Sequence, residues 1–227
     1  MIETILSSPL FGLGLSCAAW CVGLLVQKKT GFLLCNPLVV ASGLIILILT
    51  VFQIPHADYD RGGSLISMFL GPATAVLALN IYNQRRLLKT YFFPVLAGCL
   101  AGCLTSLGSI LLLCRLLAVE SSIAASLLPK SVTTAIAVAI SDSSGGIRSI
   151  TAAAVISAGL VGALFSPLFA RLFRITDPVA QGVGIGASSH ALGTSRALEI
   201  GPLQGAMSSV SLCVCGILTS ILTLFLP

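Results

Sequence analysis

Eight apolar runs follow one another along the chain, at 5–26, 33–53, 65–82, 91–118, 123–141, 150–172, 180–198 and 203–226. About 20 consecutive apolar residues cross a bilayer as a helix. Six of the runs therefore predict spanning helices, with 65–82 the shortest. The runs 123–141 and 180–198 differ in kind. The first is rich in Ser and Thr and the second in Gly, Ser and Thr, and both carry cationic groups: Lys130 in the first, His190 and Arg196 in the second.

The basic residues between the runs set an orientation. Lys28-Lys29, "RRLLK" at 85–89 and Arg171 with Arg174 mark the connectors. The positive-inside rule puts these in the cytoplasm and the N-terminus outside. A full crossing by 123–141 would carry Arg171 and Arg174 outside. A dip that returns to its own side keeps them inside, and the same argument makes 180–198 a dip from the cytoplasmic face. The expected fold is an all-α polytopic membrane protein. It has about six spanning helices and two oppositely oriented re-entrant hairpins, at 121–141 and 180–199. Broken segments in inverted halves are a transporter pattern. One domain over 1–227 is expected, with 1–90 as scaffold and dimer contact and 91–227 as transport core.

Composition agrees. Of 227 residues 56% are hydrophobic and 8% charged, with mean hydropathy +1.08, against about 25% charged in soluble domains. The net charge of +5 sits at run ends and forms no soluble basic face, so nucleic acid is not an expected partner. No cleavable leader is expected, because the first run follows Glu3 without a basic segment before it. The eight cysteines lie within apolar runs without metal-ligand spacing and read as packing residues. "GCLAG" at 98–102 and Ala158 with Gly162 carry the small-xxx-small spacing of close helix pairs.

The two polar runs carry the candidate chemistry. Proline favours the first turn of a helix, so Pro129 is expected to start a half-helix at membrane depth. Its open N–H groups attract anions. Lys130 adds a full charge, and Ser131, Thr133 and Thr134 add hydrogen-bonding groups. The second run joins Gly182, Gly184, Gly186 and Gly193 to Ser188, Ser189, Thr194, Ser195, His190 and Arg196. Ionisable groups inside a membrane are functional candidates. His190 is the candidate for proton coupling. Plainer readings stand beside these: hydroxyls bonded back to helix carbonyls, a snorkelling lysine, and Arg196 paired with Glu199 one turn on. Gly182, Gly184 and Gly186 are expected to expose or hinge the backbone. Gly71-Pro72 is expected to kink run three, where Thr74 and Asn80 are polar, and Asn36-Pro37 to start run two. His56, Asp58 and Asp60 are expected in a solvated loop. No nucleophile set, metal cluster or cofactor motif is present, so no enzyme and no cofactor are expected.

"IAASLLPKSVTTAIAVAIS", "GGIRSITAAAVISAGLVGALFSP" and "DPVAQGVGIGASSHALGTSRALEIGPLQGAMSS" resemble the LrgB/CidB family of bacterial membrane proteins, as do "GPATAVLAL" and "NPLVVA". One departure is Ala135, where the family usually has proline. The resemblance implies the bacterial inner membrane and a small LrgA/CidA-type partner. It also implies one of two activities. One is antiholin-like regulation of murein hydrolase activity and lysis. The other is transport of small monocarboxylates such as pyruvate, glycolate, glycerate or lactate, by analogy with a plastid glycolate/glycerate transporter. The residue reading favours transport, with Pro129, Lys130, Ser131, Thr133, Thr134, Ser188, Ser189, His190, Gly193, Thr194 and Arg196 as substrate contacts. A homodimer is the expectation for carriers of this kind.

Overall fold

The computed structural model describes residues 8–31 and 35–226, so the first residues of runs one and two lie outside it. The described residues are all-helical. They divide into two compact units, 1–73 and 74–227. Among the described residues four helices are long and apolar enough to cross a membrane: α1 (Pro9–Thr30), α6 (Phe92–Leu116), α9 (Arg148–Leu172) and α11 (Pro202–Thr223).

In the first unit α1 packs against α2 (Pro37–Val51) and α3 (His56–Ser67). Ser8 and Asn36 cap α1 and α2, each followed by proline in the first turn, as the sequence predicts for Asn36-Pro37. At 15 residues α2 is about 22 Å long, short of the roughly 30 Å hydrocarbon core. His56, Asp58 and Asp60 do not form a loop. They open α3, where Asp58 lies in the first turn and suits the helix dipole. Tyr59 of α3 meets the Ser16 hydroxyl of α1 at 2.9 Å. Gly12 and Gly62 let α1 and α3 touch backbone to backbone: a Cβ on Gly62 would fall on the Pro9 carbonyl and 2.5 Å from the Leu13 nitrogen. Gly62→Val is expected to cost about 1–3 kcal/mol of overpacking, read as a lowered unfolding midpoint in detergent.

Run three is two helices. α3 stops at Ser67 and α4 (Leu70–Asn83) begins after a two-residue turn. The break thus precedes Gly71-Pro72, which occupy the first turn of α4, where proline costs no hydrogen bond. The Thr74 and Asn80 side chains lie outside the described set. α5 (Arg85–Thr90) leads into α6.

In the second unit each polar run folds back on itself. After α6 come α7 (Ser121–Leu127) and α8 (Thr134–Ser143), separated by a turn at 128–133. The chain after α8 returns to α7: the Ile147 amide donates to Ser126 Oγ at 2.6 Å. Ser126 is fully buried and donates in turn to the Ser122 carbonyl at 2.6 Å. Ser126→Ala leaves a buried N–H unpaired, so it is expected to cost about 1–3 kcal/mol, measured as a lower unfolding midpoint.

The second run is α10 (Pro178–Ile200), capped by Asp177, which accepts from the Ala180 amide at 2.8 Å. Its backbone breaks at His190, φ 40° and ψ −131°. The second limb lies back on the first. A Cβ on Gly193 would stand 2.9 Å from Ile185 Cγ2, residues far apart in a straight helix. α11 confirms the reversal. Gly182 lies against Gln204 and Gly186 against Ser208 and Ser211 on one limb, while Thr194 meets Ser208 and Leu198 meets Gly205 on the other.

The bend therefore falls at His190 and not at the glycines expected to hinge. Gly182 and Gly186 serve close packing on α11, and Gly184 faces open space. Three of the four small residues at close-pair spacing meet partners here. Gly98 and Gly102 of α6 receive Val183 and Ala187, and Gly162 of α9 receives Ser189. Cys99, Cys103 and Cys215 are buried between α6 and α11 and bond through sulfur to carbonyls at 3.7–3.9 Å, with no disulfide. This is the packing role expected of them.

Candidate functional site

The turn at 128–133 is the tip of the first hairpin. Pro129 is buried within it, and its carbonyl accepts from the Val132 amide at 3.3 Å. The half-helix does not start at Pro129. It starts at Thr134, with Thr133 extended at the N-cap (φ −63°, ψ 149°). Thr133 Oγ1 is buried and makes no hydrogen bond, although a threonine in that position normally caps the first turn. The first amides of α8 lack intrahelical acceptors, as at any helix start.

Lys130 reaches towards α6. Its Nζ lies 3.3 Å from both Ser106 Oγ and Ser131 Oγ, and the two hydroxyls are 2.7 Å apart. Among the described residues Lys130 has no carboxylate partner. Ser106 lies ten residues before the end of α6, about 15 Å along the axis, so the half-buried cluster stands well inside the length of α6. Ser106 was not among the sequence candidates. Its signal was available: it continues the Gly98, Gly102 stripe by one turn.

The second tip meets the first at Val155. Val132 packs on the Val155 side chain, while the ring of His190 bonds to the Val155 carbonyl at 2.9 Å from Nε2. A carbonyl only accepts, so Nε2 carries the hydrogen and any exchangeable proton site is Nδ1. His190 is buried, and its left-handed backbone is strained for a non-glycine residue.

The other candidates divide. Thr194 donates to the His190 carbonyl at 2.8 Å and pairs with Ser208 at 2.9 Å; Ser188 pairs with the buried Ser189 at 2.9 Å. Gly193 packs the two limbs together, and Ser195 bonds back to the Ala191 carbonyl. Arg196 is not at the tips. It pairs with Glu199 and lines, with Arg171, Arg174 and Ser188, a cavity at the open end of the hairpin; Lys130, Ser131 and His190 do not line that cavity. The structure thus joins Lys130, Ser131 and Ser106 at one tip and sets His190 beside the other, across Val155.

Residues 16–227 match the LrgB-like family. The chain belongs to that family. Relatives extend over nearly the whole chain. The antiholin-like protein LrgB of Bacillus subtilis (strain 168) is 39% identical over 213 residues, covering 93% of this chain and 92% of its own. Those of Bacillus mycoides (strain KBAB4) and Bacillus cereus (strain B4264) are each 36% identical over 222 residues, covering 97% of this chain and 96% of theirs. No solved structure matches the chain significantly. The resemblance seen in the LrgB motifs is therefore borne out, and the "PKSVTT" motif forms the first tip. Ala135, where proline is usual, stands in the first turn of α8. The half-helix begins there without the proline, because the extended Thr133 already ends the preceding turn.

Proposed function

We propose that this LrgB-like chain is an antiholin-like membrane protein of the bacterial inner membrane. It restrains permeability and murein hydrolase activity, and so lysis, together with a small LrgA/CidA-type partner. The observation that carries this reading is the shared name of its full-length relatives, antiholin-like protein LrgB. The test uses vesicles with trapped dye that hold the small partner alone or with this chain. Slower dye loss with both is the expected result. Equal loss would sink the reading.

A second reading rests on Lys130. A half-buried cation without a carboxylate among the described residues, in the same turn as an unpaired Thr133 hydroxyl and an open helix start, favours a small anion. We infer a carrier of small monocarboxylates. Pro129, Lys130, Ser131, Thr133 and Thr134 belong to its first tip, and Ser188, Ser189, His190, Gly193 and Thr194 to its second, with His190 coupling a proton through Nδ1. In this reading six helices span, the two hairpins dip from opposite faces as an inverted repeat, and the N-terminus lies outside. Residues 1–90 form the scaffold and homodimer contact, and 91–227 move. Saturable uptake of labelled pyruvate into vesicles that keep their dye is the expected result; no uptake of pyruvate, glycolate, glycerate or lactate would refute it.

A further inference from the structure

The cavity at the open end of the second hairpin belongs to neither tip. Its volume is about 990 Å³, at the top of the roughly 300–1,000 Å³ usual for small-ligand sites. Its walls have two characters. Ala170, Ile175, Ala180, Ile185 and Ile200 make most of it apolar, while Arg171, Arg174 and Arg196 bring guanidinium groups to it. Arg196 is paired with Glu199, but Arg171 and Arg174 have no carboxylate partner among the described residues. Asp177, the nearest acid in sequence, accepts the Ala180 amide as the cap of α10. Unneutralised positive charge therefore stands beside an apolar channel.

The channel borders an exposed apolar side of α9. Phe165, Phe169 and Phe173 form an exposed ladder one turn apart, with ring centroids 6.4 and 6.2 Å apart, and Phe169 also lines the cavity. Gly184 keeps the channel open, since nothing lies within 4 Å of where its Cβ would stand. A small soluble anion needs polar groups around its whole body. Away from its arginines this lining is apolar except for Ser166, Thr176, Gln181 and Ser188, which matches an amphiphile better.

We propose that the groove holds an anionic phospholipid taken from the surrounding bilayer, its phosphate at Arg171 and Arg174 and one acyl chain along the apolar wall. Guanidinium groups bind phosphate in a bidentate manner, and basic pockets between membrane helices at the cytoplasmic side recognise acidic headgroups. The lipid would tie α9 to the second hairpin, which makes it a structural partner independent of either functional reading.

The test exposes the detergent-purified protein to dioleoyl phosphatidylglycerol or dioleoyl phosphatidylcholine at equal concentration and counts retained lipid by native mass spectrometry. The wild type is expected to favour phosphatidylglycerol by at least about tenfold. Arg171→Gln with Arg174→Gln is expected to erase that preference. Gly184→Leu keeps both arginines but fills the channel, and is expected to lower retention of phosphatidylglycerol as much. Equal retention of the two lipids by the wild type overturns the proposal, whether or not the variants fold. So does undiminished retention in either variant, or full displacement by millimolar glycerol phosphate, which would make the ligand a soluble anion.

Discussion

Lys130→Met is expected to weaken saturable pyruvate uptake by about 10–100-fold while leaving the protein as stable as before or more so. The two halves of that expectation come from one observation. Among the described residues Lys130 bonds to the Ser106 and Ser131 hydroxyls and has no carboxylate partner. A lysine in a buried ion pair would leave an orphaned carboxylate when removed, at a cost of several kcal/mol. Here nothing is orphaned. Ser106 and Ser131 still hold each other at 2.7 Å, and methionine fills the same stem. Meanwhile a desolvated ammonium is removed, which is costly to keep without a counter-ion. A bound carboxylate would supply that counter-ion. Its hydrogen bond to a charged group is worth about 1.5–3 kcal/mol, and about 1.4 kcal/mol is tenfold in affinity. Uptake kinetics in vesicles and an unfolding midpoint in detergent read the two halves separately. Unchanged uptake removes Lys130 from the site. A collapsed midpoint makes Lys130 structural. Ser106→Ala should have a smaller effect on uptake, about 2–10-fold, since it removes one neutral partner worth about 0.5–1.5 kcal/mol.

The helical character of the chain and its long apolar helices were legible from the apolar runs, and so was the special nature of 123–141 and 180–198. Each of those runs does reverse direction. What misled was the choice of breaker. Proline at 129 and the glycines at 182, 184 and 186 are the residues that sequence rules assign to breaks. The first break is the whole turn at 128–133, which holds Pro129 but runs on to extended Thr133, and the second is His190 in a left-handed conformation. His190 can hold that strained backbone because a tertiary contact, the Val155 carbonyl, fixes its ring, beside the one-turn bond from Thr194 to its carbonyl. No local signal encodes the contact with Val155. Three helices end within two residues of the ends of their apolar runs, at 53, 118 and 172, but without a glycine to close them. Gln53, Ala118 and Arg174 take the left-handed position usually given to glycine. Each is followed by a hydrophobic residue, Ile54, Val119 or Ile175, whose amide closes back onto the helix at 2.8–2.9 Å. Charge near helix ends did predict Arg196 with Glu199 as the plainer pair, and that pair is present. It removes Arg196 from the tips and leaves it beside Arg171 and Arg174.

Gly159→Ala is expected to destabilise the protein by roughly 2–6 kcal/mol, an unusually large effect for one added methyl. The new Cβ would stand 2.6 Å from His190 Cε1, 2.7 Å from Nε2 and 2.9 Å from Leu192 Cδ1. His190 cannot yield cheaply. Its ring is buried and bonded to the Val155 carbonyl, and its backbone is the bend itself. Overpacking of about 1–3 kcal/mol therefore adds to about 1–3 kcal/mol for leaving Nε2 and the carbonyl unpaired. Gly108→Ala is the control. Nothing lies within 4 Å of its Cβ position on α6, so it is expected to be neutral or to stabilise by about 0.5–1 kcal/mol through the helix preference of alanine. A double-mutant cycle isolates the cause. In a His190→Ala background the ring is gone, and Gly159→Ala should lose most of its cost. If the cost is the same in both backgrounds, the ring is not what the methyl meets, and the second tip is not held against α9 in the way described. If the cost vanishes, the bend at His190 is supported from the α9 side. Small residues at 159 and 162 would then be the condition for the second hairpin to reach Val155 at all.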